Sequence, residues 1–168
     1  MTAGNLNIYS IGHSNHPGDK FLQLLCVHHI QCLVDVRSIP YSRYNPQYNR
    51  KTLDAFLRKN NIEYIWMGDS LGGRRKDSTP DTKHEHAVLY QKGIQDLMAI
   101  AANKTTAFMC SEEDPRRCHR HRMISNTIMS GKITGNGTVT EIKINHIRAT
   151  GEIEDASKIV IAMQQKLF

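Results

Sequence analysis

Short apolar runs recur along this chain, each followed by a polar cluster and then by a segment of helical spacing, and that order leaves few folds open. The runs are Asn7 to Ile11, Gln31 to Val36, Glu63 to Met67 and Thr106 to Met109, with a last one from Val139 to Ile147. Runs of this length bounded by turn residues are those of buried strands. Between them, Phe21, Leu24, Leu25 and His28 share one face of a helix beginning near Pro17, and Leu53, Phe56 and Leu57 share one on a helix beginning near Asn49. Leu89, Ile94, Leu97, Met98 and Ala101 mark a third helix, and Ile159, Met163 and Leu167 a terminal one. The alternation predicts an α/β fold, a compact three-layer sandwich with a mainly parallel central sheet flanked by helices. With 168 residues, a single domain over residues 1–168 can bury a core without staples.

In such sheets ligands gather beyond the carboxyl ends of the strands. Four polar clusters fall there: Gly12-His13-Ser14-Asn15, Asp35-Val36-Arg37-Ser38, Leu71-Gly72-Gly73-Arg74-Arg75, and the segment opened by Cys110. The last reads Cys110-Ser111-Glu112-Glu113-Asp114-Pro115-Arg116-Arg117-Cys118-His119-Arg120-His121, a thiol and an acidic loop leading into a basic stretch. An Asp before a Pro is a good helix start, so a helix is predicted from about Pro115 to Ser130, with Gly131 as its stop. Its positive end would face the same crevice as Arg116, Arg117 and Arg120, and Cys118 would lie in its first turn, where thiol pKa values fall. Gly68 to Lys83 reads as a long mobile loop able to act as a lid, and Lys132 to Thr138 as an exposed connection.

A net charge of +6 and a pI of about 9.2 favour anionic partners. No apolar run approaches the roughly 20 residues of a membrane span, and Met1 to Leu6 lacks the regions of a signal peptide, so the expected setting is cytoplasmic, away from membrane. In that setting Cys26, Cys32, Cys110 and Cys118 are expected as reduced thiols, the first two in the core.

Taken together, the clusters closely resemble those of the bacterial and archaeal family called domain of unknown function 488. The matching segments are Ile11-Gly12-His13-Ser14-Asn15, Val34-Asp35-Val36-Arg37-Ser38 with Pro40, Ser42-Arg43 and Asn45-Pro46, Leu71-Gly72-Gly73-Arg74, and Met109-Cys110-Ser111-Glu112 with Asp114-Pro115 and Cys118-His119-Arg120. The resemblance implies a compact α/β fold and a polar site built from these segments, and it brings no reaction with it. Asp81 to Val88, with His84 and His86, is a stretch that family members fill variably, so no role passes to it.

Three chemistries compete for the site. Cys110-x5-Arg116 fits the bare pattern of cysteine phosphatases, but Glu112, Glu113 and Asp114 would stand where the phosphate must sit. Two like charges at ~4 Å repel by about 4 kcal/mol at an effective dielectric of 20. Zinc is a second reading, since Cys110, Cys118, His119 and His121 are ligand types, with His13 as a further donor. On one helix, however, adjacent Cys118 and His119 would point about 100° apart, and no residue is assigned to a metal.

The favoured reading is an enzyme-like site for a phosphate-bearing anionic substrate, a nucleotide or nucleic acid. Asp35, Glu112 and His119 are its candidate acid-base groups, with Cys110 and Cys118 as candidate reactive thiols. His13, Ser14, Arg37, Ser38, Arg43, Arg74 and Arg120 are candidate substrate-binding residues, the arginines able to grip anionic oxygens in pairs. The tyrosines interleaved with arginines from Arg37 to Arg50 are the mixture single-strand binders use. The alternatives are a non-catalytic nucleic-acid binding module and a zinc or thiol-site protein. The sequence identifies no cofactor and fixes no oligomeric state.

Overall fold

The short apolar runs pair as strands in a computed structural model that describes residues 5–74, 79–131 and 141–159. In chain order the strands are β1 (Leu6–Gly12), β2 (Cys32–Asp35), β3 (Glu63–Trp66), β4 (Thr106–Cys110), β5 (Ile142–Ile147) and β6 (Ile153–Asp155), and the helices are α1 (Gly18–Val27), α2 (Arg50–Lys59), α3 (Gly68–Leu71), α4 (Pro80–Asn103) and α5 (Asn126–Met129). They form one sheet in the order β3-β2-β4-β1-β5-β6, parallel throughout except for β6, which runs antiparallel to β5.

The two-residue period of the strands divides the core. Ile8, Val34, Phe108 and Ile144 face α4 and α5, where they meet Tyr90, Ile94, Leu97 and Ile128. Ile11, Leu33, Ala107, Met109 and Ile147 face α1 and α2, where they meet Phe21, Leu24, Leu25, Leu53 and Leu57. The result is the three-layer α/β sandwich expected from the alternation. The connections leaving β1 and β2 cross on the α1–α2 side, whereas those leaving β3 and β4 use the other. Adjacent β2 and β4 therefore release their chains in opposite directions, which opens a crevice beyond their carboxyl ends.

Several elements depart from the sequence expectation. The helix expected from Pro115 to Ser130 is broken. Pro115–Arg117 is a single 3-10 turn capped by Asp114, whose Oδ1 accepts from the Arg116 N–H at 3.0 Å. Cys118 then takes an extended conformation, φ −117° and ψ 145°, before a wide π-type turn at Arg120–Ser125 leads into α5. Part of the expected Gly68 to Lys83 loop is helical: α3 occupies its start, and α4 begins at Pro80, because Thr79 Oγ1 accepts from the Thr82 N–H and proline fits the first helical position. Residues 75–78 of that loop and the Lys132 to Thr138 connection lie outside the described residues, as do Met163 and Leu167 of the expected terminal helix. Cys32 is buried as expected, but Cys26 is exposed, since it stands about 100° round α1 from Leu25.

One close approach decides how β1 meets the Cys110 loop. A Cβ on Gly12 would lie 1.8 Å from the Glu112 carbonyl oxygen. The contact is backbone on backbone, so no side chain can rotate away. Gly12→Ala is expected to destabilise the protein by about 2–4 kcal/mol, read as a lowered urea midpoint at unchanged slope.

Candidate functional site

The strand period also sorts the residues at the crevice. In the parallel ladder Asp35 is level with Met109, and both belong to the α1–α2 side. Cys110, one residue on, faces the other side with Cys118. Asp35 is fully buried, and its carboxylate accepts from Arg37 Nε at 2.9 Å, Arg37 Nη2 at 2.6 Å and the Tyr64 hydroxyl at 2.6 Å. Arg37 also donates to the Tyr48 carbonyl and to His13 Nε2. His13, stacked on Tyr48 with ring centroids 4.1 Å apart, donates from Nδ1 to the Ser14 carbonyl. Burial, with the Arg37 charge beside it, lowers the His13 pKa to about 4, so the ring is a neutral buttress at physiological pH. Asp35, Arg37, His13 and Tyr64 thus form one internal network beneath the rim.

Arg120 forms a second. It is fully buried, yet no carboxylate among the described residues pairs with it. Its Nη1 and Nη2 donate to the backbone carbonyls of Glu112 and Glu113, the latter at 2.7 Å, and its Nε to Ser10 Oγ at 3.2 Å. Ser10 donates in turn to His146 Nδ1 at 2.5 Å, and His146 Nε2 meets His121 Nδ1 at 3.0 Å. Burial and the Arg120 charge push the His146 pKa down to about 2. Burial lowers the His121 pKa as well, so both rings of this hydrogen-bonded relay are neutral near pH 7, and among the described residues His121 Nε2 is buried without a partner.

Arg120 holds the acidic loop by its carbonyls, which turns its carboxylates outward. Glu113 Oε1 and Oε2 each accept from Arg148 at 2.9 Å, and Arg148 and Arg116 both reach Glu154. The Glu112 side chain is exposed.

Between the two networks lies a cleft of about 400 Å³ lined by Arg37, Ser38, Ile39, Tyr41, Gly73, Arg74, Cys110, Ser111, Glu112, Arg117, Cys118 and His119. At its floor the sulfurs of Cys110 and Cys118 stand 3.6 and 3.8 Å from His119 Nδ1, while His119 Nε2 donates to the Val36 carbonyl at 3.2 Å. The extended backbone at Cys118 is what lets adjacent side chains converge, removing the helical geometry that would have separated them. A Cβ on Gly73 would come within 2.8 Å of the His119 ring, so this glycine makes room for the imidazole. The Cys118 thiol is shifted well down, because Cys110 S–H donates to it; burial opposes this, and the His119 ring and the Arg120 charge and backbone N–H add to it. Cys110 is shifted up by the same hydrogen bond and by burial.

This arrangement belongs to a recognisable family. The family described as Domain of unknown function DUF488 matches residues 18–126, from the start of α1 to the start of α5. The chain belongs to the DUF488 family. No curated protein and no solved structure matches it.

Of the residues expected at the site of this DUF488 protein, the fold gathers Ser38, Arg74, Cys110, Glu112, Cys118 and His119 around the cleft, with Arg37 at its border. Asp35, His13 and Arg120 lie behind it in the buried networks, and the hydroxyl of Ser14, at φ 48°, donates to its neighbour Asn15. Arg43 is stacked over Tyr44, its guanidinium carbon 5.0 Å from the ring centroid, outside the lining. The sequence reading placed Arg117 beside the crevice and Tyr41 among the interleaved tyrosines, but named neither as a site residue; both line the cleft. Assigning Arg117 to a continuous helix with Arg120 hid their different positions, whereas the tight turn that Asp114-Pro115 favours was a signal that could have separated them.

The Glu113–Arg148 pair sets an acid response. Hydrogen bonds from Arg148 lower the Glu113 pKa from 4.5 to about 2. A depressed carboxylate stabilises the fold above its unfolded pKa and loses that contribution as pH falls through the folded value. Arg148→Met is expected to cost about 1–2 kcal/mol near neutral pH, allowing for solvent screening. Its urea midpoint should also fall less steeply than the wild type's between about pH 5 and pH 2.

Proposed function

We propose that this protein is an enzyme acting on a phosphate-bearing anionic substrate, a nucleotide free or within a nucleic acid, held in the cleft above Cys110, Cys118 and His119. One observation carries the reading. Most rim arginines are committed to internal partners, Arg37 to Asp35, Arg116 and Arg148 to Glu154, and Arg120 to backbone carbonyls. Arg74 and Arg117 line the cleft and make no side-chain hydrogen bond or ion pair among the described residues. Two such guanidinium groups facing one concavity suit phosphate oxygens. Tyr41 borders the same cleft and is 67 % exposed, offering a ring face on which a base can stack. Glu112 is the carboxylate of the lining and the candidate acid-base group.

A second reading, non-catalytic binding of single-stranded nucleic acid, draws on Tyr44, 80 % exposed beside Arg43 and outside the cleft. Arg43 and Tyr44 would extend a stacking surface along a strand without any chemistry.

The two readings separate on binding and turnover. Anisotropy of a fluorescein-labelled oligothymidylate across a salt series, with adenosine monophosphate as competitor, should show salt-dependent binding that Arg74→Ala and Arg117→Ala each weaken about tenfold with a shallower salt slope. Lys59→Ala, exposed on the opposite rim at the end of α2, should bind like the wild type. Glu112→Gln should keep affinity and lose about a hundredfold in turnover of the bound nucleotide. No binding at low salt, or an equal loss in Lys59→Ala, would overturn the anion-binding reading. Binding without turnover in the wild type would leave the second.

A further inference from the structure

The floor of the cleft has a property that anion binding does not require. Its two sulfurs and one imidazole nitrogen lie within 4.8 Å of one another, although they come from the end of β4 and from the far side of a loop. We propose that Cys110 Sγ, Cys118 Sγ and His119 Nδ1 bind a divalent zinc-type cation, leaving a fourth coordination position open to the cleft.

The distances fit. Zinc bonds of about 2.3 Å to sulfur and about 2.0 Å to nitrogen, set tetrahedrally, separate the sulfur and nitrogen ligands by ~3.6 Å. The two nitrogen–sulfur separations here are 3.6 and 3.8 Å. Two of the three ligand separations are thus those of a tetrahedral site, and the third, sulfur to sulfur, is within 4.8 Å. Orientation fits as well. A ligating histidine commonly gives its other ring N–H to a carbonyl or carboxylate, which fixes the ring. His119 does this through Nε2 to the Val36 carbonyl at 3.2 Å, and so aims Nδ1 at the sulfurs. The Arg120 backbone N–H, 3.5 Å from Cys118 Sγ, is a further outer hydrogen bond of the kind that supports a thiolate ligand. Gly73 keeps the space beside the ring clear.

The donor set selects the metal. Thiolate and imidazole suit zinc and disfavour magnesium, calcium and manganese, which prefer oxygen. Structural zinc sites are closed by four protein ligands, while sites for exchangeable ligands keep one position free. Among the described residues no fourth His, Cys, Asp or Glu joins the group, and all three donors line the cleft. The free position therefore faces the space that Arg74, Arg117 and Glu112 also border. His13, which the sequence offered as a further donor, is held by Arg37 and Ser14 in the network behind. The proposal goes beyond the nucleotide reading and stands without it, since the ligand geometry is independent of what the arginines hold.

Cobalt substitution tests it on the full chain, purified under reducing conditions and stripped of metal. Adding cobalt(II) should produce sulfur-to-metal charge transfer in the near ultraviolet and the intense visible bands of a tetrahedral site, saturating at about one ion per chain. Zinc should displace the cobalt, and competition with a chromogenic chelator should give at least a ~100-fold loss of zinc affinity in Cys110→Ser, Cys118→Ser and His119→Ala. Cys26→Ser, exposed on α1, should bind as the wild type does. The wild-type spectrum needs no variant to fold. Weak octahedral bands without charge transfer would overturn the site, as would zinc affinity falling equally in Cys26→Ser. Failure of the fully reduced wild type to bind either ion would sink it too, marking the two thiols as a redox or nucleophilic pair.

Discussion

A guanidinium with no carboxylate partner among the described residues organises this molecule's functional end. Arg120 lies at zero exposure, its guanidinium bonded to two backbone carbonyls and a serine hydroxyl. Burying a charge is expensive unless its donors are all engaged, and the Glu112 and Glu113 carbonyls can engage them only if the loop after β4 folds back over β1. Gly12 permits that approach, because any side chain there would strike the Glu112 carbonyl. The loop's carboxylates are thereby turned away from the core, Glu113 toward Arg148 and Glu112 toward the cleft. Its far end returns Cys118 and His119 to within reach of Cys110. A neutral buried chain through Ser10, His146 and His121 backs the arginine from the other side.

The sheet supplies the frame and the separation of roles. Because successive strand residues face opposite layers, Asp35 and Cys110 end adjacent strands yet serve different systems. Asp35 stabilises Arg37 and the rim on the α1–α2 side, while Cys110 opens onto the cleft. The crevice itself follows from topology, since β2 and β4 send their chains to opposite faces. Among the described residues no helix is long and apolar enough to cross a membrane.

Much of this was legible in the residues. Short apolar runs such as Ala107-Phe108-Met109, bounded by polar clusters and alternating with helical spacing, read as buried strands, and the spacing of Phe21, Leu24 and Leu25 marks the inner face of α1. That the four polar clusters share one rim followed from strand direction alone. What could not be read was which side of the rim each residue takes. Arg120 and Arg117 look alike in a basic string, but one is fully buried and the other lines the cleft. Their difference depends on a 3-10 turn ending at Cys118, where three-residue and wider helical periods succeed one another and no single periodicity applies. The convergence of Cys118 and His119 was hidden for the same reason. Short β6 also escaped, since three half-exposed residues carry no strand signal of their own.

Arg120 holds the Cys110 loop in place, and amide hydrogen exchange in the wild type and in Arg120→Lys tests that most directly. Lysine keeps the charge but cannot span two carbonyls and a hydroxyl with fixed geometry. Protection should be lost first and most strongly from residues 111–119, by about tenfold or more, while Phe108 and its sheet partners stay protected close to the global limit. Exchange that rises evenly across the sheet, or a loop as protected in the variant as in the wild type, would contradict the claim that this one buried side chain shapes the site.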